Sequence, residues 1–110
     1  MIEETIKKIE QSLRESESFT PEKRKELLGL LEALKKEVAE LPVSHQDQAQ
    51  RIMRFTELSA YEITHKNQNS KLQKLSLEGL NESVKEFEAS HPQLVASVNA
   101  FCQALSGMGI

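Results

Sequence analysis

Apolar residues recur along this chain in steps of three and four, the period of helices that each bury one side. Ile2, Ile6, Ile9 and Leu13 fall on one helical face, and Glu3/Lys7, Glu4/Lys8 and Glu10/Arg14 pair opposite charges on the other. Each such pair contributes a few tenths of a kcal/mol to a solvated face. Ser16 to Thr20 interrupts the rhythm. Thr20-Pro21-Glu22 then has the form of a helix start: a hydroxyl cap, a proline where its missing N–H is harmless, and an acid in the first turn. Leu27, Leu31, Leu34, Val38 and Leu41 continue as a stripe widened by Leu28 and Leu30, and Pro42 closes it. Two helices joined by so short a break predict an antiparallel hairpin.

The middle of the chain is thinner. Ser44-His45-Gln46-Asp47 has the form of an acidic capping box opening a helix from His45 to about Lys66. Ala49, Ile52, Met53, Thr56, Ala60 and Ile63 make its apolar face, with Phe55, Leu58 and Tyr61 lying off it. Asn67 to Ser70 is a polar break, and Ser70 is the expected cap of the next helix. Leu77, Leu80, Val84 and Phe87 resume the stripe, interrupted by Gly79, which costs a helix interior about 1 kcal/mol relative to alanine.

Ser90-His91-Pro92-Gln93 reads as a second capping box, followed by Leu94, Val98, Phe101 and Leu105, with Val95 and Cys102 beside them. Gly107 stands where a C-terminal cap belongs, and Met108 is in phase with the stripe, so the tail is expected to fold back over the apolar layer. Leu80 to Leu105 keep one heptad phase through Pro92. The pattern therefore allows one helix kinked at the proline or two separate helices. The capping sequence and the restriction that Pro92 places on His91 favour a break.

Composition limits the core. The chain has 110 residues, 38% hydrophobic and 5% aromatic, with no tryptophan. One domain fits that length, spanning residues 1–110: an N-terminal hairpin over 1–41, a helical connection over 42–74 and a C-terminal pair over 75–110. The expected architecture is all-α, an antiparallel bundle of four or five helices completed by oligomerisation into a dimer. The first 41 residues hold ten acids and eight bases, residues 42–74 three acids and five bases, and residues 75–110 four acids and only Lys85. No segment has the Lys/Arg density that phosphate neutralisation needs, so nucleic acid is disfavoured as the main partner. No apolar stretch is long enough to span a bilayer. A lone cysteine and a start without a basic region and apolar run suggest no secretion signal, and the cytoplasm is the expected location.

Candidate chemistry is sparse. His45, His65 and His91 lie too far apart for a helical metal motif. Glu62-x-x-His65 has the spacing of a carboxylate-bridged site, but that chemistry needs a second such motif and further carboxylates, and Glu88 and His91 straddle the expected break. No metal and no cofactor are expected. Cys102 sits between Phe101 and Leu105 and reads as a small core hydrophobe rather than a nucleophile. No glycine-rich phosphate loop or nucleophile elbow is present, so no catalytic residue is assigned. Arg51, Arg54, Lys66, Lys71 and Lys74 give the middle third a mild positive balance, interrupted by Glu57 and Glu62. They are the candidates for an acidic partner or anion, and alternatively could lie against the acidic last third.

Phe87-Glu88-Ala89-Ser90-His91-Pro92, then Leu94 and the ending Leu105-Ser106-Gly107-Met108-Gly109-Ile110, resemble an uncharacterised bacterial family, domain of unknown function 4404. The leucine-rich hairpin from Glu26 onward is similar to that family too. The resemblance extends over about the first forty and the last thirty-five residues, which leaves Gln46 to Gln73 as an expected elaboration. It implies a small bacterial protein, adds no activity, and raises Ser90, His91 and Pro92 above their neighbours as candidate interaction residues. The capping role accounts for Ser90 and Pro92 and leaves His91 unexplained. The expectation is a non-catalytic oligomerisation or protein-interaction module. The alternative is an anion- or nucleic-acid-associated accessory protein using the central basic residues.

Overall fold

A computed structural model describes residues 2–64 and 69–106. Helix α1 spans Ile2–Glu15, α2 Pro21–Ala39, α3 Gln46–Thr64, α4 Ser70–Ser83 and α5 Pro92–Ser106. Single turns of 3-10 helix at Val43–His45 and Lys85–Phe87 bridge α2 to α3 and α4 to α5, and no strand occurs among the described residues. The chain is an all-α helical bundle. It breaks ahead of Pro92, and the heptad phase survives because the 3-10 turn still directs Phe87 inward.

The caps show why the helices start where they do. Thr20 is extended, and its Oγ1 accepts the Lys23 N–H at 3.1 Å, one of the donors a helix start leaves unpaired. Four residues on, Arg24 donates from Nε to the Leu13 carbonyl (3.2 Å) and from Nη2 to that of Ser16 (2.6 Å), closing the C-terminal end of α1. At α4 the cap is Asn69, whose Oδ1 accepts the Leu72 N–H at 3.1 Å; Ser70, the expected cap, is already the first helical residue. Neither expected serine box forms among the described residues. Ser44 lies inside the 3-10 turn that leads straight into α3, and Ser44 and Ser90 direct their hydroxyls at the neighbouring histidines.

The predicted stripes are the core. Ile6, Ile9, Leu13, Leu27, Leu31, Leu34, Val38 and Leu41 are buried, as are Ile52, Met53, Ile63, Leu77, Leu80, Val84, Phe87, Leu94, Val98, Phe101 and Leu105. They cover one another by an arrangement the sequence does not show. Helix α1 packs on α2 and also on α3, α3 on α4, α4 on α5, and α5 back on α2. The helices thus close a ring in the spatial order α1, α3, α4, α5, α2, with α1 between α2 and α3. The radius of gyration is 13.0 Å, close to the ~13 Å of a compact chain of ~100 residues. A second copy therefore has to bind elsewhere than on these stripes.

The α3–α4 contact is polar in composition yet satisfied. Thr56, Ser59, Ser76 and Ser83 are buried and donate to the carbonyls of Ile52, Phe55, Gln73 and Leu80 at 2.6–2.8 Å. Gln73 Nε2 crosses from α4 to the Glu62 carbonyl at 3.0 Å. Small hydroxyl side chains that bond to their own helix let the two backbones come close without leaving a donor unpaired. Gly79 belongs to the same contact. A Cβ there would stand 2.8 Å from Cδ1 and 3.0 Å from Cζ of Phe55, and nearer still to Cε1. The glycine admits the aromatic ring, which accounts for a residue that otherwise weakens a helix.

Candidate functional site

Two surfaces stand out, one at an end of the bundle and one on its side. At the end, Phe87 is buried between two imidazoles. His45, just before α3, lies 5.5 Å from it centroid to centroid at 62°, and His91, just before α5, lies 5.6 Å away at 82°. Both are edge-on aromatic contacts. Each histidine is half-buried and takes its Nδ1 to the serine before it: Ser44 Oγ at 3.2 Å from His45, Ser90 Oγ at 2.9 Å from His91. The backbone of His91 is fixed as well. Its N–H donates to the Phe87 carbonyl (2.8 Å), and its carbonyl accepts the N–H groups of Leu94 (3.1 Å) and Val95 (3.4 Å).

This arrangement supplies the account of His91 that the sequence lacks: its imidazole covers one side of Phe87 and its carbonyl starts α5. Two Ser-His dipeptides, each directly after a break, were the available signal, and only their convergence on Phe87 was hidden. As chemistry the pairs are incomplete. A serine nucleophile needs a base that is itself oriented by a third group. Among the described residues no carboxylate bonds to either ring, and the two serines are exposed. No three His, Cys, Asp or Glu side chains converge on a metal-sized point among the described residues. His65, the third histidine, lies outside them. Cys102 is a buried free thiol, pushed up from 9.0 to about 11 by loss of solvent, the opposite of what a nucleophile requires.

On the side, the outer face of the α3–α4 hairpin carries Leu58, Tyr61, Leu72 and Leu75, between 44% and 50% exposed. The two cross-helix contacts, Gly79 beside Phe55 and Gln73 beside Glu62, set the antiparallel register. In that register Leu58 stands level with Ser76 and Leu77, and Tyr61 with Gln73 and Lys74. At 100° per residue, Leu58, Leu72 and Leu75 project along the shared seam of the two helices, over the half-buried Phe55, with Tyr61 at the margin. The off-stripe positions Leu58 and Tyr61 were visible in the sequence. Their continuity with Leu72 and Leu75 was not.

The same register separates the candidate basic residues. Arg51 and Arg54 are exposed on α3, level with Ser83 and Leu80, while Lys71 and Lys74 are exposed near the start of α4. About 10–19 Å of helix lies between the two pairs at 1.5 Å per residue. Leu58 and Leu75 fill the gap, so the four cations form no single patch, and Lys66 lies outside the described residues. None of the four makes an ion pair among the described residues; the pairs that form are Lys23–Glu26, Lys35–Glu32 and Lys85–Glu82, all on the surface. Ser90 and Pro92 are exposed beside His91, at the end of the bundle where α3 begins. No helix among the described residues is long and apolar enough to cross a membrane.

No curated protein and no solved structure matches the chain. A family model described as Domain of unknown function (DUF4404) matches residues 27–110. The match spans α3 and α4, so the segment expected as an elaboration, Gln46 to Gln73, falls within its bounds. The part left out is 1–26, which holds α1 and the start of α2. With α3, α4, α5 and most of α2 inside that match, the chain belongs to the DUF4404 family.

Proposed function

We propose that this protein is a non-catalytic oligomerisation or protein-interaction module, a small accessory protein of the bacterial cytoplasm. The observation that carries this reading is the outer face of the α3–α4 hairpin. Four large apolar side chains stay half-exposed in a chain whose stripes are otherwise buried to a few per cent. A contiguous apolar strip is costly to leave in water and marks a contact surface. The Ser-His pairs support the same reading by their incompleteness as catalysts, and they account for Phe87 as a sealed end of the core.

Light scattering on the purified chain at micromolar concentration tests this. The expected result is a species of at least twice the 12.5 kDa chain mass. A well-folded protein that stays strictly monomeric and retains no partner from the cytoplasm of its host would refute it.

A further inference from the structure

We infer that the α3–α4 outer face receives a second copy of this chain across a two-fold axis parallel to the two helices, α3 of each copy lying on α4 of the other. This rests on the reading of the protein as an oligomerising module and specifies where and how it assembles. Side chains are unevenly distributed along the face. Toward the α3–α4 connection it carries Leu58 and Tyr61 on α3 and Leu72 and Leu75 on α4, with Lys71 and Lys74 exposed at the α4 margin. Toward the opposite end it is charged, and the sign divides by helix: Arg51 and Arg54 on α3, Glu78 and Glu82 on α4, all exposed.

A two-fold face-to-face contact is isologous, so each residue must suit what the symmetry places before it. Two axes lie in the plane of the face. An axis perpendicular to the helices reverses the level and lays α3 on α3: centred on the face it sets the leucines against the charges, and centred on the leucines it leaves the charged half uncovered. The axis parallel to them keeps every level against itself and exchanges α3 for α4. Leu58 then meets Leu75 of the second copy, and Tyr61 meets Leu72. Arg51 and Arg54 meet Glu82 and Glu78, and at the rim Lys74 approaches Glu57. Only about the parallel axis are the apolar half and the charged half covered together, apolar on apolar and charge on opposite charge.

The area agrees with a modest dimer. Two helices ~10 Å across and ~20 Å long offer a footprint of about 400 Å² per copy before side-chain relief is counted. That is about 800 Å² over both copies, below the ~1,200 Å² at which stable interfaces begin, so the contact is a weak one in which complementary charge fixes partner and register. Glu82 already holds Lys85 at 3.0 Å on the same surface, which leaves Glu78 as the freer partner of Arg54.

Reversing charge tests the axis. Two double variants of the full chain are compared with the parent by sedimentation velocity: Arg51→Glu with Arg54→Glu, and Glu78→Arg with Glu82→Arg. All four side chains are exposed, so helicity and melting should stay near those of the parent. The expected result is twice the chain mass for the parent, a single-chain mass for each variant alone, and recovery of the two-chain species when the variants are mixed in equal amounts. Variants that remain two-chain species would place the contact on another surface, overturning this inference and leaving the module reading intact. Folded single-chain variants that do not recover on mixing would also overturn it. A parent that is one chain at every concentration would also overturn it, and would overturn the module reading only if it retained no partner from its host; its co-sedimentation with phosphatidylglycerol vesicles would assign the face to a lipid surface instead.

Discussion

Gly29 and Gly79 both lie inside helices, and replacing each with alanine makes the same chemical change with opposite expected signs. In a helix interior alanine exceeds glycine by about 1 kcal/mol, because glycine has more backbone freedom to lose. A Cβ at Gly29 meets nothing within 4 Å. Gly29→Ala should therefore gain nearly the full ~1 kcal/mol, raising the melting temperature by about 4 °C for a chain of this size. At Gly79 the same gain is opposed by the Phe55 ring, whose three nearest carbons stand at 3.0 Å or less from the new methyl. The ring must swing toward solvent or the helices must part, and overpacking of this kind costs about 1–3 kcal/mol. The net change is a loss of up to ~2 kcal/mol. Urea denaturation followed by far-ultraviolet circular dichroism should separate the two variants by roughly 1–3 kcal/mol. Adding Phe55→Leu to Gly79→Ala should return part of the loss. Gly79→Ala stabilising as much as Gly29→Ala would refute the close α3–α4 approach.

Two further outcomes are expected. Arg24→Ala removes both donors from the Leu13 and Ser16 carbonyls; water recovers part of that bonding, so about 1–2 kcal/mol should be lost, with faster amide exchange concentrated in α1 and unchanged protection in α1 counting against the contact. Burial raises Cys102 from 9.0 to about 11, so below pH 9 folded and unfolded chains both keep the proton. Between those values the unfolded chain releases it first, and stability should fall with rising pH. Urea midpoints measured at about pH 8 and about pH 10.5 should show a smaller decline for Cys102→Ala than for the parent, and equal declines would contradict the buried thiol.

Periodicity made the elements legible because burial and helical geometry impose the same spacing. The stripes of α1, α2 and α5 were readable residue by residue, as was the Thr20 cap. The weak α3 pattern was readable too, since Ala49, Ile52, Met53, Thr56, Ala60 and Ile63 are all buried. The expected roles of Ser44, Ser70 and Ser90 as caps were not realised. Several polar residues adjoin each helix start, and tertiary packing decides which is extended enough to accept the N–H: Asn69 does so, while Ser44 and Ser90 bond to imidazoles. Which helix lies beside which was also out of reach. An apolar stripe records that a face is covered and carries no mark of what covers it, so α1 beside α3 and α5 beside α2 emerge only in three dimensions. Gln73 and the buried hydroxyls were missed for a related reason, since a polar residue that satisfies itself on nearby carbonyls looks solvent-facing in the sequence.

The closure of the ring by α5 on α2 has a consequence for how the chain comes into being. More than fifty residues separate Ala39 from Pro92, so the leucine face of α2 waits for the last helix to be synthesised. At ~5–20 residues per second that interval is on the order of several seconds, long compared with the microseconds in which helices form. Loop-closure entropy grows only with the logarithm of loop length, so the finished protein loses little stability to this long connection. The burden falls on the nascent chain, whose Leu27, Leu31, Leu34 and Val38 stay without their final cover until α5 has been made.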